Sequence, residues 1–298
     1  MIFQYSVPAK TFLLGEYVVT KGGPALILST APRFILNASP QKDSTSELYK
    51  TIHPDSPAGQ LIARHADFFD QFDLNFIDPY QRAGGLGASS AQFALLFAML
   101  KQVREITPAF LEQALNTYKE VAWDRTGTAP SGADVIAQLT GGLCFYHRDK
   151  NIVESLAWPF PAMDFCLIHT GNKMATHTYL RDLTAIDTGD MGEVAEDAFS
   201  ALETADAPLF IKSVNQYAEL LKSRGWLTDT TEQLLTKIVL QQGVLAAKGC
   251  GAMGADIIFV VLDCTVRESF SAWCRQQNLR VICMGHEVSY GFEQKTSK

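Results

Sequence analysis

The sequence lacks an excess of basic residues. It contains 25 Lys and Arg against 32 Asp and Glu, which gives a formal net charge of −7. Proteins that bind nucleic acid do so mainly through clustered Lys and Arg, so a nucleic-acid partner is not expected. Any anionic ligand must be held by a few local positive groups.

Long hydrophobic runs are also missing. The longest runs, near residues 93–100 and 257–262, are far shorter than the roughly 20 residues that a membrane-spanning helix needs. Residues 1–5 show no basic segment of the kind that begins a secretory signal. These features predict a cytoplasmic protein without a membrane partner.

Cysteine is sparse and follows no recognisable pattern. The six cysteines form no C-x-x-C pair and do not reach the density of a disulfide scaffold. Four of them lie inside apolar runs, so we expect buried, reduced thiols.

The remaining composition is that of a globular protein with a well-filled core. A length of 298 residues and 47% hydrophobic content suggest about two domains. The alternation of apolar and polar residues and the short apolar runs predict strands at 12–19, 25–29, 33–38, 143–147, 152–156, 164–169 and 257–262. Helices are predicted at 58–69, 92–104, 107–125 and 266–277, and over most of 174–242. Ala31-Pro32 is expected to separate two strands. Strands and helices without regular alternation favour an α+β fold, and Pro159 to Pro161 suggests a joint between domains 1–160 and 161–298.

A glycine-rich stretch is the most informative part of the chain. It consists of Gly84, Gly85, Leu86, Gly87, Ala88, Ser89 and Ser90, and the apolar run 92–100 follows it. Glycines let the backbone approach a ligand, and the first N–H groups of the following helix point into the loop. Phosphate binds at such places. The two serines could cap the helix, contact a phosphate oxygen or ligate magnesium.

Two common nucleotide-binding motifs do not fit this stretch. Gly85-Leu86-Gly87 is a G-x-G, and Glu105 lies at the offset expected for a dinucleotide site. However, Ser90 occupies the third glycine position, no apolar strand precedes the loop, and Glu105 falls at a helix end. A Walker A loop is excluded because the chain contains no Gly-Lys pair.

A third alternative arises from His147-Arg148-Asp149, which imitates the catalytic triplet of protein kinases. Position 154, where a magnesium-binding Asn should stand, is Glu, and no D-F-G follows. The triplet is therefore a chance similarity.

Four small-residue motifs follow one another between residues 7 and 256. They are Pro8-Ala9-Lys10 to Gly15-Glu16-Tyr17, then Gly85-Leu86-Gly87-Ala88-Ser89, then Pro130-Ser131-Gly132-Ala133-Asp134, and finally Gly251-Ala252-Met253-Gly254-Ala255. In type and order they resemble the motifs of the GHMP kinase superfamily, named for galactokinase, homoserine kinase, mevalonate kinase and phosphomevalonate kinase. The last motif departs from the usual G-A-G-G-G at Met253 and Ala255, and we expect the Met253 side chain to crowd the bound ligands.

The resemblance implies a two-domain α+β fold, with an N-terminal ribosomal-S5-like domain that contains a left-handed β-α-β unit and a C-terminal ferredoxin-like domain. The active site would lie between the domains and use ATP, Mg²⁺ and a small-molecule acceptor. A ligand-binding protein that kept this fold and lost catalysis is disfavoured, because Lys10, Ser89 and Asp134 are all present. Whether the chain forms a homodimer is left open.

The resemblance also implies roles for the two residues at the chemical centre. Asp134 corresponds to the catalytic aspartate, which orients the acceptor hydroxyl and accepts its proton. Lys10 corresponds to the lysine that faces this aspartate. Without the resemblance, Asp134 would be interpreted as a helix-start acid and Lys10 as the partner of Glu16.

For the nucleotide and metal, the resemblance implies that the loop from Gly84 to Ser90 binds the phosphates of ATP. Ser89 corresponds to a magnesium ligand. The second magnesium carboxylate is assigned to Asp124, although the strict equivalent is Trp123.

The acceptor is expected to be anionic, with phosphomevalonate first and mevalonate or a sugar as alternatives. Tyr17, Asp256 and the segment 169–176 each resemble the phosphomevalonate kinase pattern. The residues expected to bind the substrate are Glu16, Tyr17, Ser131, Gly132, Lys173, Thr176, Lys248, Gly251 and Ala252. Lys173 and Lys248 would supply the positive charge that an acceptor phosphate needs.

Overall fold

The computed structural model describes residues 2–40, 52–171 and 187–297, and its strands form two antiparallel sheets. The strands are β1 (Ile2–Leu14), β2 (Pro24–Pro40), β3 (Phe72–Ile77), β4 (Leu143–His147), β5 (Ile152–Leu156), β6 (Met163–His169), β7 (Val244–Cys250), β8 (Ile257–Asp263), β9 (Arg280–Gly285) and β10 (Glu293–Ser297). The first sheet has the order β10-β1-β2-β4-β5, with β3 also paired to β2, and the second has the order β7-β8-β6-β9. The chain passes from the first sheet to the second at 157–162, where the domain joint was expected, and β10 returns to the first sheet.

The described helices are α1 (Pro57–Arg64), α2 (Ala66–Phe69), α3 (Ala88–Leu100), α4 (Pro108–Ala122), α5 (Ala133–Thr140), α6 (Met191–Thr204), α7 (Ala207–Ser223), α8 (Asp229–Ile238) and α9 (Arg267–Gln276). The predicted helix 58–69 is divided in two. The predicted cap of α4 is confirmed, because the Thr107 hydroxyl accepts from the Phe110 N–H at 3.2 Å and Pro108 follows it. The mixed architecture confirms the α+β class. None of the described helices is both long and apolar enough to cross a membrane.

The predicted break at Ala31-Pro32 is wrong, because β2 continues through it. Val7 on β1 pairs with Phe34, but Ala9 pairs with Thr30, so residues 31–33 bulge out of the register. A proline is tolerated at such a bulge, since its missing N–H has no ladder bond to make. One long strand therefore replaces the two short ones.

Strand β3 was missed, and it lies ahead of the glycine loop. Its six residues alternate poorly between buried and exposed positions, so they give a weak strand pattern. Because β3 pairs antiparallel with β2, it does not create the parallel unit of a dinucleotide site. The missing strand is therefore wrong as an argument against a dinucleotide site, but the antiparallel pairing of β3 and the serine at position 90 still exclude that alternative.

Helix α3 lies in the core and anchors the glycine loop. Nine of its thirteen residues are buried, which is typical of a helix that is apolar on all sides. Its Phe93 ring stacks on Phe97 at 5.7 Å and meets the edge of Tyr118 at 5.0 Å, between ring centroids. The loop thus enters a helix that packing holds in place.

The expectation of buried thiols is confirmed for four of the six cysteines. All six cysteines are free, four of them buried and two partly buried. Burial raises the pKa of Cys144 to about 12 and that of Cys250 to about 11, so both thiols stay protonated near neutral pH.

Candidate active site

A cavity of about 700 Å³ joins the four motifs. The predicted residues that line it are Lys10, Glu16, Tyr17, Gly84, Gly85, Gly87, Ala88, Ser89, Ser90, Ser131, Gly132, Asp134, Gly251 and Ala252. Leu86, Asp124 and Lys248 do not line it, and Lys173 and Thr176 lie outside the described residues. The cavity therefore brings together residues from both ends of the chain, from Lys10 to Ala252.

Lys10 and Asp134 form an ion pair in the wall of the cavity. The Lys10 Nζ lies 2.9 Å from the Asp134 Oδ2, and their side chains are 9% and 33% exposed. Lys10 is on β1 and donates its backbone N–H to the Leu86 carbonyl at 3.1 Å, whereas Asp134 is in the first turn of α5. The pairing of Lys10 with Glu16, considered as the structural alternative, does not occur.

The glycine loop passes so close to Lys10 that a side chain would not fit. Gly87 has φ 87°, and a Cβ there would lie 2.8 Å from the Lys10 Cγ and 2.9 Å from the Gln138 Nε2. The Gln138 amide fixes the loop by donating to the carbonyls of Gly87 at 3.1 Å and Pro8 at 3.0 Å. Gln138 was not predicted as a site residue, although its position four residues after Asp134 places both on one face of α5.

The structure distinguishes the two serines at the start of α3. Ser90 is buried, and its hydroxyl donates to the Gly87 carbonyl at 3.0 Å, within its own helix turn. Ser89 is exposed on the cavity wall. A ligand in the cavity can therefore reach the Ser89 hydroxyl, whereas the Ser90 hydroxyl already serves the loop.

A magnesium ion fits the oxygen-rich lining of the cavity. The Ser89 hydroxyl and the carboxylates of Glu16, Asp134 and Asp256 line the same space, and Mg²⁺ prefers oxygen ligands. The structure leaves Asp124 outside this lining, where its Oδ1 accepts from the N–H and hydroxyl of Thr126 at 2.9 and 2.6 Å. The described residues contain no cluster of three or more His, Cys, Asp or Glu that could hold a metal ion, so phosphate oxygens would have to complete the shell.

Lys248, expected to contact the acceptor, is instead buried behind Glu16. Its side chain is 0% exposed, and its Nζ lies 3.0 Å from the Glu16 Oε1 and 3.6 Å from the Cys250 Sγ. Burial lowers the pKa of the ammonium, but Cys250 and Glu16 outweigh burial, so the pKa is raised. The prediction that Lys248 binds the substrate is therefore wrong, because strand β7 directs its side chain into the interior.

Two tyrosines connect the first motif to the second half of the chain. The Tyr217 hydroxyl of α7 accepts from the Gly15 N–H at 2.9 Å, and the Tyr17 hydroxyl accepts from the Met253 N–H at 3.0 Å. The Tyr17 ring also packs on Trp226, with centroids 4.6 Å apart. These contacts hold the cavity wall that Glu16 and Tyr17 form.

Tyr118 is a cavity residue that the sequence analysis missed. Burial, and to a lesser extent the negative charge of Asp134, raise the pKa of its phenol. Its hydroxyl therefore stays neutral and can donate a hydrogen bond in the cavity. No local pattern marks Tyr118, because only the packing of α4 against α3 and α5 brings it there.

Met253 occupies a backbone conformation that suits glycine. Its φ and ψ are 55° and 26°, in the left-handed region, and its side chain does not line the cavity. The expected crowding of the ligands is therefore not observed. Met253→Gly should remove about 1 kcal/mol of backbone strain from the folded state. Glycine also raises the conformational entropy of the unfolded chain, which should lower the stability by a similar amount. We expect the free energy of unfolding to change by less than about 1 kcal/mol and the KM values to stay the same.

Ala255→Gly provides the matched control, because it also restores a superfamily glycine. Ala255 is buried, with φ −81° and ψ −31°, so glycine gains nothing there and should destabilise the fold by about 1 kcal/mol. Chemical denaturation and steady-state kinetics of both variants test this contrast. A several-fold change in KM for Met253→Gly alone would show that Met253 does reach the ligands.

Comparisons with known proteins identify the fold. No family model matches the chain, and a search of curated proteins finds no similar sequence. Among solved structures, the Lin0012 protein from Listeria innocua has a TM-score of 0.79 at 16% identity over 100% of both chains. Streptococcus pneumoniae phosphomevalonate kinase, in complex with phosphomevalonate and AMPPNP, has a TM-score of 0.77 at 18% identity over 95% of this chain and 99% of that one. Lactococcus lactis galactokinase, complexed with galactose, has a TM-score of 0.72 at 12% identity over 99% and 95%.

The chain therefore has the GHMP kinase fold, as the four motifs predicted. The structures of the two named kinases contain different compounds, phosphomevalonate in one and galactose in the other. At these identities the likeness establishes the fold alone.

Proposed function

We propose that this protein is an ATP-dependent kinase that phosphorylates a hydroxyl group of a small metabolite. The observation that carries the proposal is the ion pair between Lys10 and Asp134 at 2.9 Å, in a cavity that the glycine loop also lines. Phosphoryl transfer needs positioned phosphates, neutralised charge and an oriented hydroxyl, with little covalent work for the protein. The cavity contains a candidate residue for each of these tasks.

Asp134 would accept a hydrogen bond from the acceptor hydroxyl and take its proton as the oxygen attacks the γ-phosphorus. The bond from the γ-phosphorus to the bridging oxygen of the β-phosphate would break, and ADP would leave. Lys10 would hold Asp134 in place and offset the negative charge that develops on the transferred group. The N–H groups at the start of α3 would bind the nucleotide phosphates. Bound Mg²⁺, with Ser89 among its ligands, would neutralise phosphate charge.

For the acceptor, we propose phosphomevalonate. Tyr17, Asp256 and the segment 169–176 support this choice, and one structure with the same fold contains that compound. The described lining has few groups to hold a phosphate on the acceptor, because its only permanent cations are Lys10 and Arg82. A phosphorylated acceptor would therefore depend on Lys173, which lies outside the described residues.

Mevalonate or a sugar is the second candidate, because each brings less negative charge into the acidic lining than phosphomevalonate does. Glu16, Asp134 and Asp256 line the cavity and would repel an acceptor phosphate, but they can accept hydrogen bonds from neutral hydroxyl groups. The galactokinase structure, which contains galactose, supports a sugar as a candidate.

A panel of acceptors assayed for ADP release tests these proposals. We expect kcat/KM to be higher for phosphomevalonate than for mevalonate or galactose. Lys173→Ala should raise KM for phosphomevalonate by about tenfold, as expected for loss of a charged hydrogen bond, with KM for ATP unchanged. Lys212→Ala, on the exposed surface of α7, is the control and should behave as wild type.

Faster turnover of mevalonate or galactose would replace the proposed acceptor. Absence of turnover with every acceptor, in a protein that also fails to bind ATP, would contradict the kinase proposal itself.

A further inference from the structure

Arg82 stands immediately before the glycine loop, and its side chain lines the cavity. The described lining contains four carboxylates, those of Glu16, Asp78, Asp134 and Asp256, and two permanent cations, Lys10 and Arg82. Lys10 is already paired with Asp134. The Arg82 guanidinium has no ion-pair or hydrogen-bond partner within residues 2–40, 52–171 and 187–297, so it is the positive group that remains available to a ligand.

The backbone around Arg82 is held in an unusual conformation. Gln81 and Arg82 have φ values of 56° and 66°, which lie in the left-handed region that residues other than glycine rarely adopt. The Asp78 carboxylate fixes this turn, because its two oxygens accept from the N–H groups of Tyr80 and Arg82, each at 2.8 Å. Tyr80 is buried, and its hydroxyl donates to the Pro32 carbonyl of β2 at 2.6 Å. The sheet thus fixes where the Arg82 side chain begins.

We propose that Arg82 binds the polyphosphate of the nucleotide and is the principal positive contact that the described chain offers it. The inference rests on the proposed kinase function. A nucleoside triphosphate brings several negative charges into this lining, and Lys10 and the buried Lys248 are already paired with Asp134 and Glu16. Even with Mg²⁺ bound, a guanidinium that no carboxylate of the described chain neutralises would attract the phosphate oxygens. A guanidinium suits phosphate because its N–H groups can make paired hydrogen bonds to two oxygens.

The position of Arg82 in the chain favours the nucleotide over the acceptor. Only Ala83 separates it from Gly84, so its backbone continues into the loop that leads to the N-terminus of α3. The residues expected to contact the acceptor, including Glu16 and Gly251, come from other elements. Arg82 therefore extends the phosphate-binding loop by one charged side chain.

Calorimetric titration of ATP, ADP and adenosine into wild type, Arg82→Ala and Arg82→Lys tests the proposal. We expect Arg82→Ala to weaken ATP and ADP binding by about tenfold or more and to leave adenosine binding unchanged. Arg82→Lys should recover part of the loss, because it keeps the charge without the paired geometry. Arg82→Ala should fold normally, since the backbone bond to Asp78 remains and no side-chain bond is lost.

Arg125→Ala is the matched control. Arg125 has the same φ of 66°, is exposed and does not line the cavity, so its removal should leave the affinity for all three ligands unchanged.

Four outcomes would overturn the assignment of Arg82, and the last of them would also overturn the proposed function. An equal loss of adenosine and ATP binding would make Arg82 a structural residue, and an increase in KM confined to the acceptor would assign it to the other substrate. ATP binding of wild-type strength in Arg82→Ala would refute the role of Arg82 and leave the proposed kinase function standing. If the wild-type protein binds no adenine nucleotide, both this inference and the proposed function fail.

Discussion

Asp134→Asn is expected to lower kcat by about 100-fold or more while the affinity for ATP changes little. Asn keeps the shape of the side chain but cannot accept the proton of the acceptor hydroxyl, and losses of this size are typical when a general base is removed. The 2.9 Å contact with Lys10 fixes Asp134 where the motifs imply the reaction occurs. Steady-state ADP release with a saturating acceptor, together with ATP titration, gives both quantities.

The control for this variant is Asp229→Asn, in the first turn of α8. Asp229 is exposed and shares with Asp134 only the favourable interaction of a carboxylate with a helix N-terminus. We expect it to leave kcat unchanged. If Asp134→Asn also retained near-normal turnover, Asp134 would act only on the helix dipole, and the proposed chemistry would lose its base.

Lys248→Met is expected to lower the free energy of unfolding by about 3 kcal/mol, the lower end of the range for breaking a buried ion pair. The ammonium is 0% exposed, and its removal leaves the Glu16 carboxylate without its charged partner in a wall of the cavity. Chemical denaturation measures the loss. Lys248 does not line the cavity, so its loss should affect the substrate affinities only indirectly, through any displacement of the Glu16 side chain.

Two further variants separate the ion pair from the packing of the lysine stem. Glu16→Gln combined with Lys248→Met should recover part of the stability, because neither charge then lacks its partner, and a double-mutant cycle gives the coupling. Lys222→Met removes an exposed pair with Glu232 at a similar distance, 2.8 Å, and should hardly affect stability. Equal losses for the two lysine variants would mean that burial of the pair has no energetic consequence.

Most of the predicted site residues do line the cavity, because they lie in short motifs that can be recognised from a few neighbouring residues. Glycines at 85 and 87, serines at the start of a helix and an acid in its first turn can be identified in the sequence. The superfamily resemblance assigned Lys10 to Asp134, and the structure places their charged atoms 2.9 Å apart. The helix α3 was predictable because its apolar run is continuous.

Strand β3 and the continuous β2 were not predictable from local patterns. Strand β3 alternates poorly, and β2 contains a proline that is acceptable only because residues 31–33 bulge away from β1. In both cases the partner strand determines the structure, and pairing between distant strands leaves little trace in a short window of sequence.

The sequence by itself determined the class of the fold and the chemical types of the site residues, since these depend on composition, hydrophobic period and short motifs. Only the tertiary structure decided which of those residues face the cavity. In the folded protein, the Lys248 side chain points towards Glu16, and Asp124 lies outside the cavity. Ser89 is exposed to the cavity, whereas the Ser90 hydroxyl bonds to its own helix turn. The Arg82 guanidinium stays available in an acidic lining. The physical reason is that burial and ion pairing are properties of surfaces that meet in three dimensions, and residues far apart in the chain form them together.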